Sequence, residues 1–373
     1  MISTPIDIPF NDLSRGWLAN SKEVQEACSR VIQSGYYIHG PEHAAFENEL
    51  ALFLGAESAI GVSSGTDALE LALKAVGCEV GSKVITAANA GGYTSVVAAG
   101  IGCEIIYCDV DPEKLVISEN TLSPLLSHEI VAVVVTHLYG NIAPVEQIRE
   151  LCEPYGIKVI EDCAQAIGGL NGYRRVGSVG HVGAFSFFPT KNLGAAGDGG
   201  AVATSDPEIA TKLRKLRQYG WGQKYSIDLP GGTNSRLDEM QAAILRVGLP
   251  KVDSLNKKRR EIVGSYRDAL HGTDLHFVTE NSPEATAHLA VLRLPRNIIR
   301  SDFQKALREK GIQTAVHFPI LDCDQVGLPP QKIVPGLPES RLAKDEILSL
   351  PCFPEMTSQE ISIVTNSVLE ILG

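Results

Sequence analysis

Short runs of β-branched and aromatic residues punctuate the first half of the chain, at 59–62, 83–86, 104–107, 131–135, 158–160, 184–188 and 201–204, alternating with helical patterns. Runs this short and this continuously apolar predict strands buried on both faces, and their alternation with helices predicts a largely parallel sheet. Apolar residues at helical spacing cover 67–76 and 145–155, the second stopping at Gly156 like a C-capped helix. Further helical patterns cover 207–219 and 237–247. Pro250 marks a boundary, after which a charged helix over 252–270 leads to strand candidates at 288–294 and 313–318 around a helix near 301–310. The pattern predicts an α/β protein in two parts: a large domain over 1–249, with an N-terminal arm, and a smaller α/β domain over 250–373. In such a sheet ligand sites gather at the carboxyl ends of the strands.

Composition narrows the function classes. With 33 basic and 44 acidic residues the net charge is −11, which argues against a general nucleic-acid or anionic-membrane binder. The first ten residues lack a basic segment followed by an apolar one, and there is no run of eighteen apolar residues, so the expectation is a soluble, cytoplasmic protein. Eight cysteines show no Cys-x-x-Cys pair, so no metal site is expected and reduced, buried thiols are.

Three segments carry chemistry. Lys191 follows the apolar run Ala184-Phe-Ser-Phe-Phe188 and precedes Gly194, Gly197, Gly199 and Gly200. A lysine against an apolar wall is poorly solvated, its pKa falls, and the neutral amine can condense with an aldehyde. Ser63-Ser-Gly-Thr-Asp-Ala-Leu69 joins a strand to a helix, so the amides of Gly65 and Thr66 are placed either for an anion or behind a plain Ser/Thr helix cap. Asp162 ends the run Lys158-Val-Ile-Glu-Asp162, where a carboxylate meets a ligand or caps the next helix. Together a lysine, an acid and an anion cradle at strand ends match the needs of pyridoxal phosphate. A dinucleotide fingerprint after the first strand and a Walker-type loop are both lacking.

The chain also resembles the DegT/DnrJ/EryC1/StrS sugar aminotransferases nearly end to end. The landmarks are Gly40-Pro-Glu42, Ser63 to Leu69, His137-Leu-Tyr-Gly140, Glu161-Asp-Cys-Ala-Gln-Ala166, Ser186-Phe-Phe-Pro-Thr-Lys-Asn-Leu193, Gly197-Asp-Gly-Gly200 and Asn234-Ser-Arg-Leu-Asp-Glu-Met-Gln-Ala-Ala243. The resemblance implies a fold-type I pyridoxal-phosphate transferase with a mostly parallel seven-stranded sheet sandwiched by helices. It makes Lys191 the Schiff-base lysine, Asp162 the partner of the pyridine nitrogen, and Gln165 a neighbour of the ring hydroxyl. Gly65, Thr66 and Ser186 become phosphate ligands, and Asn234 reaches the phosphate in a neighbouring subunit, so a homodimer with shared sites is expected. Where relatives carry an aromatic residue over the ring, counting back from Gly100 finds Asn89, and Tyr93 one helical turn on is the alternative.

For the reaction, the resemblance implies ping-pong transfer of an amino group from glutamate or glutamine to a dTDP- or UDP-linked keto-sugar. Gln165 favours C3 of the hexose; amination at C4, or of a keto-aminocyclitol, is the alternative, and a non-catalytic regulatory protein that keeps the cofactor is a further one. Tyr36, Arg236 and His317 are candidate substrate contacts. Against these stand a packed aromatic pair at Tyr36 and Tyr37 and a hydrogen-bonded strand-end histidine at 317.

Overall fold

A computed structural model describes residues 7–329, 332–333 and 336–373; the first six residues of the N-terminal arm lie outside them. The seven expected strands form one sheet: β1 (Ser58–Val62), β2 (Lys83–Ala87), β3 (Glu104–Cys108), β4 (Ile130–Thr136), β5 (Lys158–Asp162), β6 (Val182–Ser186) and β7 (Gly200–Thr204). Their spatial order is β1-β7-β6-β5-β4-β2-β3, and a two-residue strand, Lys332–Ile333, adds an eighth member beside β3. Only β7 runs against its neighbours; every other pairing in the sheet is parallel.

The strands read as apolar runs because helices cover both faces. Ile105 and Tyr107 face one side with Val84, Val134 and the apolar stripe of helix Gly65–Ala75. Ile106 and Cys108 face the other with Val133, Val135 and Ile148 of helix Val145–Cys152. Side chains alternate by residue, so two covered faces leave few polar positions inside the strands, Thr86 and Glu161 being buried exceptions.

Helix Val252–Ala269 leads into a three-stranded antiparallel sheet, β8 (His276–Phe277), β9 (Ala290–Arg293) and β10 (Ile347–Leu350). Helices Arg300–Glu309 and Ser358–Leu372 complete its core, and Ile8, fully buried, joins that core through a bridge to Ile312.

Two expected elements differ. The sheet ladder of β6 covers 182–186 rather than 184–188, ending where Ser186 pairs with Gly200. Residues 313–318 do not form a strand: only Ala315 bridges, to Ser349, and the strands that pair with β9 are β8 and β10, neither of which the sequence pattern singled out.

Candidate active site

The carboxyl ends of β1, β5 and β6 open on a cavity of about 320 Å³ lined by Ser64, Gly65, Thr66, Tyr93, Asp162 and Gln165, and by Ser186, Lys191, His288, His317 and Phe318. Asp162 is the last residue of β5 and pairs in register with Thr136 at the end of β4. Its Oδ2 accepts from the Thr136 hydroxyl at 3.3 Å and its Oδ1 from the Ala164 N–H at 3.1 Å. Burial pushes this carboxyl above its usual value, against the pull of the Ala164 amide and of Lys191. Lys191 sits on the turn after β6, where its N–H donates to the Phe188 carbonyl at 2.8 Å. Burial pushes its ammonium down, and Asp162 holds it up. A lysine nearer neutrality, beside a buried acid, is suited to carbonyl chemistry.

Helix Gly65–Ala75 begins at the cavity edge. Both readings of its first turn hold: Ser64 caps it, accepting from the Asp67 N–H at 3.1 Å, while Gly65 and Thr66 line the cavity opposite Ser186. A Cβ on Gly65 would lie 2.5 Å from that of Ser186, so the absent side chain is what keeps the cradle open.

After β2 the chain makes a tight loop through Gly91, whose φ is +85° and whose missing Cβ would strike the Phe318 ring at 2.6 Å. This loop puts Tyr93 on the cavity, edge-on to Phe318 with ring centroids 6.3 Å apart. Asn89 lies elsewhere: it is buried, and its Nδ2 donates to the Leu115 carbonyl at 3.0 Å. Gln165 is buried at the cavity wall, its Oε1 accepting from the Tyr139 N–H. His317 donates or accepts at Ser349 Oγ, 2.9 Å from Nδ1, and stacks on Phe10. Burial, with Lys191 next to it, holds His317 down to about 4.

Three candidates are not on the cavity within one chain. Asn234 and Tyr36 are exposed, and Arg236 lies 5.9 Å from the Tyr219 ring centroid. Four residues that matter to the geometry were not anticipated: Thr136, His288, Phe318 and Asp322. The buried trio His137, Glu161 and Cys163 clusters behind Asp162. There Glu161 accepts from the amides of Gly177, Val179 and Gly180 at 2.6–2.9 Å, and His137 lies 3.2 Å from it, so the carboxylate ties down the loop before β6. All eight cysteines are free thiols, six of them buried. Among the described residues no helix is long and apolar enough to cross a membrane.

A lysine and a buried acid at adjacent strand ends, facing a helix-start cradle in a mostly parallel sheet, define a pyridoxal-phosphate-dependent transferase. Residues 19–369 match the DegT/DnrJ/EryC1/StrS aminotransferase family, and the chain belongs to it. It is 37% identical to the dTDP-3-amino-3,4,6-trideoxy-alpha-D-glucose transaminase of Streptomyces venezuelae, over 97% of this chain and 96% of that one. It is 36% identical to the UDP-N-acetyl-3-dehydro-alpha-D-glucosamine 3-aminotransferase of Acidithiobacillus ferrooxidans, over 98% of each. The crystal structure of DesV from S. venezuelae superposes with a TM-score of 0.92 at 35% identity, covering 99% of both chains. The protein is a sugar aminotransferase whose cofactor is pyridoxal phosphate. The residues present fit that group: an amine to anchor it, a buried acid, and an anion cradle that a single Cβ would fill.

Proposed function

We propose that this chain transfers an amino group from glutamate or glutamine to C3 of a keto-hexose carried on dTDP or UDP. The observation that carries the reading is the meeting of Lys191, Asp162, Gln165 and the Gly65–Ser186 cradle in one cavity. The relatives whose names specify C3 transamination of dTDP- and UDP-sugars support the position and the nucleotide.

Pyridoxal phosphate, when bound, supplies a carbonyl carbon and an electron-withdrawing ring. Lys191 would anchor it and, as a free amine, would take a proton from the donor's Cα and hold it for return. Asp162, aligned by Thr136 and the Ala164 amide, would hold its ring nitrogen. Gly65, Thr66 and Ser186 would hold its phosphate, and Tyr93 and Gln165 its ring. The donor leaves as a keto acid before the sugar enters, giving ping-pong kinetics. In this reading residues 1–249 form the cofactor domain, apart from Ile8, which docks on the other, and 250–373 the smaller domain, which lends Lys332–Ile333 to the large sheet and supplies His288, His317 and Phe318 to the cavity wall.

The active unit in this reading is a homodimer. Asn234, too exposed to serve its own cavity, reaches the phosphate of a second copy, with Tyr36 and Arg236 beside it at the sugar. Mixing Lys191→Ala with Asn234→Ala protein is expected to restore activity, since each hybrid holds one intact site. For the substrate, dTDP- and UDP-linked 3-keto and 4-keto sugars and inososes are offered with glutamate, and mass spectrometry with NMR locates the new amine. Amination at C3 of a nucleotide sugar is expected; turnover of inososes alone, or amination at C4, overturns the assignment.

A further inference from the structure

The three residues assigned above to a second copy hang on one short stretch of chain. From Asn234 to Glu239 exposure alternates: Ser235, Leu237 and Glu239 are buried, whereas Asn234 is exposed and Arg236 and Asp238 are half-buried. Alternation of this kind is the period of extended chain, so Asn234 and Arg236 share an outward side and the residue between them faces its own fold. Isolated bridges pair Asn234 with Gln218 and Asp238 with Ile38. The Glu239 N–H donates to the Tyr37 carbonyl at 2.9 Å, which brings the Tyr36 segment alongside.

The inward anchor is Ser235. It is fully buried and does not line the cavity. Its N–H donates to the Arg217 carbonyl at 2.9 Å, and its Oγ accepts from the Ser63 N–H at 3.2 Å. The Oγ atoms of the two serines lie 3.3 Å apart. The Ser63 hydroxyl has one proton, and the Asp67 carboxylate hydrogen-bonded to it can only accept. Ser63 therefore donates to Asp67, and the Ser235 hydroxyl donates to Ser63, so each serine both gives to and takes from the other. Asp67 in turn accepts at Oδ1 from the hydroxyl of Ser64, the helix cap, at 3.1 Å. Ser63 stands between the end of β1 and that cap, with Gly65 and Thr66 next along the chain. One serine pair thus joins the corner from which a chain's own cradle springs to the stretch that carries Asn234.

We propose that Ser235 is a positioning residue acting between the two sites of the dimer: by fixing the Asn234 stretch against the Ser63 corner of its own chain, it presents Asn234 to the cofactor phosphate in the second copy. The gain is in preorganisation. An exposed asparagine on a free loop has to be ordered when it binds, whereas one beside a buried, doubly hydrogen-bonded neighbour has its backbone fixed beforehand. The inference rests on the homodimer reading, in which Asn234 serves that second site, and not on the identity of the sugar.

Hybrid dimers carry the test. One chain bears Lys191→Ala, the other is wild type, and two different affinity tags isolate the mixed dimer, which is stripped of cofactor. Borohydride then fixes pyridoxal phosphate only at Lys191 of the wild-type chain, and mass spectrometry of that peptide across cofactor concentrations gives the dissociation constant of that one site. The Asn234 that serves this live site belongs to the Lys191→Ala chain. Ser235→Ala added to that chain is expected to weaken cofactor binding at the live site about fivefold, the size of one net hydrogen bond. Ser63→Ala in the same chain, which takes away the acceptor of the Ser235 hydroxyl, is expected to act in the same direction. Asn234→Ala there sets the ceiling, and Ser235→Ala on top of it is expected to change nothing more, because Ser235 acts through Asn234. A live site that neither serine variant weakens overturns the proposal, and so does a Ser235→Ala loss that multiplies with the loss from Asn234→Ala. Failure of the homodimer reading is distinct: Asn234→Ala would then weaken the live site only when placed in the chain that holds the live Lys191.

Discussion

Asp322 offers the sharpest test of how the ring-facing loop is held. It is fully buried, its Oδ1 accepts from the Gly92 N–H at 2.7 Å, and its Oδ2 accepts from the Ser95 hydroxyl at 2.9 Å. Its own N–H donates to the Ala88 carbonyl at 2.8 Å, so both sides of the loop that presents Tyr93 are tied to one residue. Burial pushes the carboxyl up to about 7, against these hydrogen bonds, with Asp162 adding to the rise. The unfolded carboxyl loses its proton near 3.8. Between those values the native state holds the extra proton, so stability falls as pH rises from about 4 to about 7 and then levels off. From pH 5 to pH 8 the native proton is lost only over the last unit, leaving about two units at ~1.4 kcal/mol each, or about 3 kcal/mol. Asp322→Asn keeps an oxygen for Gly92 and presents an N–H to Ser95 Oγ without a charge to bury. Urea unfolding of both proteins at pH 5 and pH 8, at one protein concentration, is expected to show wild type losing about 3 kcal/mol relative to the variant. Parallel stability across that range would refute the buried acid and, with it, the clamp on the Tyr93 loop.

Three further outcomes are expected. In Lys191→Ala, borohydride should no longer fix the cofactor to the chain while the circular dichroism spectrum is unchanged; covalent fixation at another lysine would mean that the wrong amine was chosen. Gly65→Ala places a Cβ 2.5 Å from that of Ser186, and cofactor retention through gel filtration should fall at least about tenfold in a protein that still folds. Glu360 takes both guanidinium N–H groups of Arg15, at 2.7 and 3.0 Å, and Arg15 with the Thr357 cap holds its carboxyl down to about 2. That stabilisation is present above pH 4.5 and lost as pH falls toward 2. Arg15→Ala should therefore lower Tm above pH 4.5, by the equivalent of about 1 kcal/mol after solvent screening, and converge with wild type near pH 2.

Seven strands of the large sheet are legible in the sequence because each is covered on both faces, which leaves a largely apolar run. Where apolar character continues past the ladder the reading overshoots: Phe187 is buried in the core although β6 has ended at Ser186. Residues 313–318 mislead for the same reason, since Val316 and Phe318 pack against the core while Ala315 alone bridges. β10 escaped notice because Ile347-Leu-Ser-Leu350 follows helix Pro338–Glu346 without a turn residue between them. At the site, Lys191, Asp162 and Gly65 stand out locally, on a glycine-rich turn after an apolar run, at a strand end and at a strand-to-helix join, whereas Ser186 came only from the resemblance. His288 and Asp322 were not, because what makes them special is contact over long range, 96 residues to Asn192 and 227 to Ser95. A local signal did exist for Tyr93: two glycines before it allow the positive φ values that bring the chain round.

The cavity's proton inventory follows from these placements. Burial drives Lys191 and Asp162 toward neutrality, and each opposes the other's shift, so either can hold a charge only while the other, or a cofactor, balances it. The two imidazoles that complete the wall cannot share the work: His317 is held down to about 4, and His288 lies well below its usual value. At neutral pH neither takes a proton, so in the proposed reaction a proton lifted by Lys191 would meet no competing base among these wall residues. If Lys191 takes and returns one proton in each half of the proposed cycle, it is better served by such neighbours than by a second titrating base, which would let the proton wander from the carbon it has to rejoin.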